Sequence, residues 1–210
     1  MRILPGLIFF LLFSAAAHAA IVEGVPKGWY LTGSSPASYV AGTDTAGSAG
    51  GKCAVIQARS EAPDDKFGTI MQTIAADAYR GKRIRLSGML RSADVKGWGG
   101  LWLRIDGQPG NKPNILGFDN MQSRPVLGST QWRRYEIVLD VAQDATDVAF
   151  GFLLAGKGTL WAESLKLDEV DKSVPTTAGP SPLLPKMPTN LDFQSARPRV
   201  QQTLVAVVDR

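Results

Sequence analysis

Between Lys52 and Val170 the chain alternates. Apolar and polar residues trade places with a period of two, in short runs cut apart by Gly, Pro, Asp and Asn. Such patterning makes half-buried strands joined by turns and leaves no long helix to pack against them. The runs are "KCAVIQARS" (52–60), "FGTIMQTIAA" (67–76), "RIRLSGMLRSA" (83–93), "LWLRID" (101–106), "ILGFDN" (115–120), "WRRYEIVLDV" (132–141), "DVAFGFLLAG" (147–156) and "GTLWAESLKLDEV" (158–170). About eight strands within roughly 150 residues predict an all-β fold, an antiparallel two-sheet jelly-roll sandwich. "AADAY" is short enough for a single turn, and "GK" at 156–157, followed by Gly158, fits a tight hairpin.

The same period assigns faces. Ile84, Leu86, Gly88 and Leu90 share one side of their strand, and Leu101, Leu103 and Ile105 share one side of theirs. Tyr135, Ile137, Leu139 and Val141 complete the expected core. The opposite side of "WGGLWLRIDG" (98–107) is unusual: Trp98, Gly100, Trp102, Arg104 and Asp106. Indoles stack on the apolar faces of sugar rings, and a guanidinium with a carboxylate can bond hydroxyls. This face reads either as a binding platform or as packing, with Arg85 and Arg91 lying over the rings as cation–π partners. "GFDNMQSRP" (117–125) is a second polar cluster. Asp119, Asn120, Gln122 and Arg124 read either as a groove rim or as a turn in which Arg124 pairs with Asp119.

The ends of the chain read differently. Arg2, the apolar run "ILPGLIFFLLFSA" and the small residues "AHA" form a signal-peptide pattern, with cleavage expected after Ala19. The run is short of the ~20 apolar residues of a membrane span, so residues 1–19 read as a removed signal and the protein as exported, periplasmic or extracellular. Past Val170, five prolines within "DKSVPTTAGPSPLLPKMP" mark a linker over 171–189. Residues 190–210 are a tail, read as a returning strand or as the truncated start of a second module.

Cleavage constrains the chemistry. The single histidine, His18, leaves with the signal, which excludes Ser-His-Asp and Cys-His catalysis and histidine-dependent zinc. Cys53 is the single thiol, so no internal disulfide forms, and it reads as a small buried hydrophobe. The net charge of +4, which becomes +3 once Arg2 is lost, is spread among acids. The densest basic run, "RGKRIRL" (80–86), reads as a solvated strand face rather than a nucleic-acid surface. Asp106, Asp119 and Glu163 are the acids available for glycoside hydrolysis, which needs two at a defined separation. Nothing in their spacing pairs them.

Several stretches carry a resemblance: "GVPKGWYLTGS", "FGTIMQTIAADAYRGKRIRLSGMLRS", "WGGLWLRIDG", "FDNMQSRPVLGSTQWRRYEIVLDV" and "VAFGFLLAGKGTLWAESLKL". In this order, from about Gly24 to Val170, they resemble a bacterial galactose-binding-like jelly roll of the kind found in many carbohydrate-binding modules. The resemblance implies an antiparallel sandwich with an aromatic platform for sugars. Two departures stand out. Such modules open with a strand reading like "NLDFE", whereas here "NLDF" falls at Asn190–Phe193. A late strand usually supplies a carboxylate that helps hold a structural calcium, and here Glu163 in "LWAESL" is the nearest match.

Together these readings predict an exported, non-catalytic module of residues 20–170 with no cofactor and no metal. The expected ligand is a glycan or other polar molecule at the cell envelope. The expected contacts are Trp98, Trp102, Arg104, Asp106, Asp119, Asn120, Gln122 and Arg124. The alternative is a structural or protein-interaction module whose aromatic face is covered by a protein partner. No nucleic acid is expected, and no membrane once the signal is gone.

Overall fold

The computed structural model describes residues 21–110 and 114–177. The signal segment 1–19, most of the linker and the tail 190–210 lie outside the described residues.

Ten strands follow in order: β1 (Val22–Glu23), β2 (Tyr30–Gly33), β3 (Tyr39–Asp44), β4 (Cys53–Ala58), β5 (Phe67–Ala75), β6 (Arg83–Gly107), β7 (Ile115–Asp119), β8 (Val126–Asp140), β9 (Ala145–Ala155) and β10 (Thr159–Val170). One 3-10 turn, Pro36–Ser38, precedes β3, and no α-helix occurs among the described residues. Every strand pairing is antiparallel. Two layers result. One runs β1-β3-β4-β10-β6-β8 and the other β2-β5-β9-β6-β7.

β6 belongs to both layers. Its first half lies between β10 and β8, and its second half between β9 and β7. The expectation of two separate strands, 83–93 and 101–106, is corrected here: β6 is one continuous strand. Register shifts against β8 fall between Leu90 and Ser92, Ser92 and Val95, and Val95 and Gly99, and Asp94 sits at φ +53°. Bulges of this kind bend a strand without ending its pairing, so β6 turns the corner from one layer to the other. The strand count also rises from about eight to ten, because β1, β2 and β3 lie in a Gly- and Ser-rich stretch with weak alternation. Val22 and Glu23 pair with Thr43 and Gly42, so a short opening strand is present after all.

The inward faces match the period-two reading. Ile84, Leu86 and Leu90 from one half of β6 and Leu101, Leu103 and Ile105 from the other are all fully buried, in one cluster with Ile56, Ile70, Ile137 and Phe152. Tyr135 only packs on its edge. "AADAY" makes one turn, closed by Tyr79 N–H and Arg80 N–H donating to the Ala76 carbonyl. Gly156 and Gly158 take positive φ in the β9–β10 connection, where the hairpin reverses. The basic run 80–86 is neutralised locally: Arg80 pairs with Asp77, Lys82 with Glu169, Arg83 with Asp140 and Arg85 with Glu136.

Candidate functional site: a groove across one sheet

The outward face of the β2-β5-β9-β6-β7 layer is where "WGGLWLRIDG" displays its polar side. Register fixes the row of neighbours. Trp102 stands opposite Gly151 of β9, which stands opposite Met71 of β5. A side chain at 151 would overlap the Ile70 carbonyl, so only glycine fits there. With no side chain in the way, the Trp102 indole lies across β9, and its N–H donates to Thr69 Oγ1 on β5 at 2.7 Å. Thr69 in turn donates to the Phe152 carbonyl. Trp102 is thereby 6% exposed and packs with Met71, Ala149 and Leu153.

Above this floor runs a groove of about 430 Å³. Phe67, Trp98 and Phe118 give it aromatic surfaces, Trp102 and Leu153 lie beneath, and Thr32, Thr69, Asn120 and Arg104 supply polar groups. It touches all five strands of the layer, a span of roughly 19 Å at the usual spacing between strands. Phe118 is 46% exposed and stands directly opposite Arg104 across the β6–β7 ladder. Arg104 Nε and Nη2 both reach Asp106 Oδ2, each at 2.9 Å.

Of the eight residues singled out from sequence, Trp98, Trp102, Arg104 and Asn120 line the groove. Asp106 borders it through Arg104. The other three have different surroundings, again because strand faces alternate. Asp119 pairs with Leu103, so its side chain turns to the inner side while Phe118 faces the groove. Arg124 grips Asp119 with both terminal nitrogens, at 3.1 and 2.7 Å. Met121 N–H donates to Asp119 Oδ1, and the Thr177 hydroxyl donates to Oδ2 at 2.6 Å. Burial works against the charge of Asp119, but these hydrogen bonds outweigh it and hold the carboxyl below its usual range. Gln122 is exposed, and its backbone N–H donates to Asn120 Oδ1 in the turn.

The cation–π cover considered for Trp98 and Trp102 is corrected. Arg91 lies 4.6 Å from the ring centre of Trp161, on the other layer, and Arg85 faces Glu136. Those arginines precede the bend in β6, so they belong to the opposite sheet. The groove side chains that the sequence pattern did not single out are Thr32, Phe67, Thr69, Met71, Phe118 and Leu153, beside the backbone of Gly33. Phe67, Thr69 and Met71 do alternate in "FGTIMQ", but nothing local says that β5 lies two strands from β6.

The acids do not converge. Asp106 faces the groove side, Asp119 the inner side, and Glu163 the far layer, where it accepts from the Ser48 N–H and hydroxyl. No carboxylate lines the groove itself. Among the described residues no group of three His, Cys, Asp or Glu side chains could hold a metal ion. Cys53 is buried, and its surroundings, burial first and then the Asp44 and Glu163 charges, push its thiol up to about 11. Among the described residues no helix is long and apolar enough to cross a membrane.

The fold has counterparts among known proteins. The chain is similar to the CBM22-1 and GH10 modules of the N-terminal endo-1,4-beta-D-xylanase 10B of Clostridium thermocellum, complexed with xylohexaose. The TM-score is 0.51 at 9% identity, over 72% of this chain and 28% of that one. The fold is a jelly roll like that of carbohydrate-binding modules. The CBM22-1 xylan-binding domain of Paenibacillus barcinonensis Xyn10C is also similar, with TM-score 0.49 and 14% identity over 73% of this chain and 92% of that one. In sequence, the jelly-roll chain is 37% identical over 185 residues to an uncharacterized HTH-type transcriptional regulator, YbfP, of Bacillus subtilis (strain 168). That alignment covers 87% of this chain, and the chain spans 61% of the regulator's length. No family model matches.

Proposed function

We propose that the groove binds a carbohydrate and that the chain is a non-catalytic binding module. One observation carries this reading: an open trough of about 430 Å³ in which the exposed rings of Phe67 and Phe118 and the half-buried indole of Trp98 sit among hydroxyl, amide and guanidinium groups. Sugar rings need this mixture, apolar faces for the axial C–H groups and directional donors and acceptors for the hydroxyls. The transverse run across five strands suits an oligosaccharide rather than a single ring. The similar fold of the CBM22-1 and GH10 modules complexed with xylohexaose supports the reading. The absence of carboxylates from the groove lining argues against glycoside hydrolysis there, which needs a pair flanking the bond.

In this reading the site residues are Trp98, Trp102, Arg104 and Asn120, with Phe67 and Phe118 added and Asp106 behind Arg104. Asp119 and Arg124 brace the wall. Residues 1–19 act as a cleaved export signal, residues 20–170 form the module and 171–189 a linker. A glycan array probed with the chain, followed by calorimetry on the hits, tests the function. Binding that disappears in Trp98→Ala and Phe118→Ala, with the melting temperature kept, supports it. Capture of no glycan, together with a stable partner protein on the same face, favours the interaction-module alternative.

A further inference from the structure

The ligand class can be narrowed, given that the groove takes a carbohydrate. Arg104 is the one charged side chain among the described residues that line the groove. Its guanidinium has two edges able to grip a carboxylate, one through Nε and Nη2 and one through Nη1 and Nη2. Asp106 occupies the first edge with a single oxygen, Oδ2. The second edge has no hydrogen-bond or ion-pair partner among the described residues, and Arg104 is about two-fifths exposed. Asp106 therefore orients the guanidinium and leaves its other edge to the groove. The other acid at this end, Asp147, stands opposite Asp106 and accepts from the Thr146 hydroxyl. Neither acid lines the groove.

Phe118 completes the arrangement. It faces Arg104 across the ladder, which brings the two Cβ atoms to roughly 5 Å on the same face. A flat, exposed ring beside a free guanidinium edge matches one kind of sugar: a hexuronate, with an apolar ring face and a carboxylate fixed at its rim. We infer that Phe118 and Arg104 form a subsite for a hexuronate residue of an acidic glycan, with Asp106 as the positioning residue.

Calorimetry on the full chain tests this with three probes: tetragalacturonate, tetraglucuronate and glucuronate-branched xylotetraose, each beside its carboxyl-reduced counterpart. At least one acidic probe should bind about tenfold more tightly than its reduced form. That preference should shrink as salt rises and vanish in Arg104→Gln, whose melting temperature stays that of the parent. Phe118→Ala should weaken acidic and reduced forms alike. Equal affinity within every pair, or a preference that survives Arg104→Gln, overturns the inference while leaving carbohydrate binding intact. If neither form of any probe binds, nor neutral xylo- and gluco-oligosaccharides, the inference and the carbohydrate reading fall together.

Discussion

Trp102 and Trp161 are near twins in sequence and opposites in setting. Each sits on a strand with its indole turned outward from the core, and each is nearly buried, at 6% and 9% exposure. Each satisfies its N–H within the sheet, Trp102 on Thr69 and Trp161 on the Asp44 carboxylate at 2.8 Å. Their covers differ. Arg91 lies over Trp161, which packs with Cys53, Val55, Ala93 and Trp132. Trp102 has a groove above it, walled by aromatics. Burial and a satisfied N–H are common to both, so neither marks a site. What distinguishes them is whether the neighbouring strands supply a lid or a trough.

The comparison breaks most visibly in the layer beneath. Leu103→Ala, under the groove, and Leu86→Ala, under the other face, should each destabilise by about 2–5 kcal/mol, because both are fully buried. Denaturant unfolding measures this. A loss for Leu103→Ala well below 1 kcal/mol would mean that the groove layer is not a packed sheet. Asp119→Ala comes next, at about 1.5–3 kcal/mol, since it removes charge-assisted bonds from Arg124 and Thr177 and leaves the Met121 N–H unpaired.

Stability should also respond to pH through two groups of opposite sign. The folded pKa of Asp119 lies below its unfolded value, so its contribution is present above about pH 4 and is lost as pH falls through the folded pKa. Cys53 is raised to about 11. Its contribution is complete below the unfolded thiol value of ~8.5 and is lost as pH climbs toward the folded one. Melting temperatures across pH should therefore show an acid limb reduced in Asp119→Asn and an alkaline limb reduced in Cys53→Ala. The native thiol should also resist alkylation at pH 8 and react once the chain unfolds.

The indoles themselves should give the smaller and more diagnostic differences. Trp161→Phe leaves Oδ2 of the buried, charged Asp44 without its donor, Oδ1 keeping the Ala46 N–H, while Trp102→Phe costs the neutral Thr69 hydroxyl one bond of two. The first should therefore cost more, about 1.5–3 against 0.5–1.5 kcal/mol. Arg91→Ala should cost about 0.5–1 kcal/mol and leave glycan binding untouched. Trp98→Ala should cost little stability and remove binding. Loss of glycan binding in Arg91→Ala would place the site on the opposite sheet.

Much of this molecule was legible in its sequence for a simple reason: a strand's side chains alternate whatever the strand pairs with. That local rule separated Leu101, Leu103 and Ile105 from Trp98, Trp102 and Arg104. It also split "GFDN", although the polar run hid the split, with Phe118 toward the groove and Asp119 away from it. The rule says nothing about neighbours. Arg91 and Trp102 lie on one strand, yet the bulges between Leu90 and Gly99 carry them to different sheets, where Arg91 meets Trp161 and Trp102 meets Thr69. Phe67 joins Trp98 only because β9 pairs with both β5 and β6. Faces follow from a period of two residues. The groove follows from pairings between residues far apart in the chain, which close only when the whole sandwich assembles.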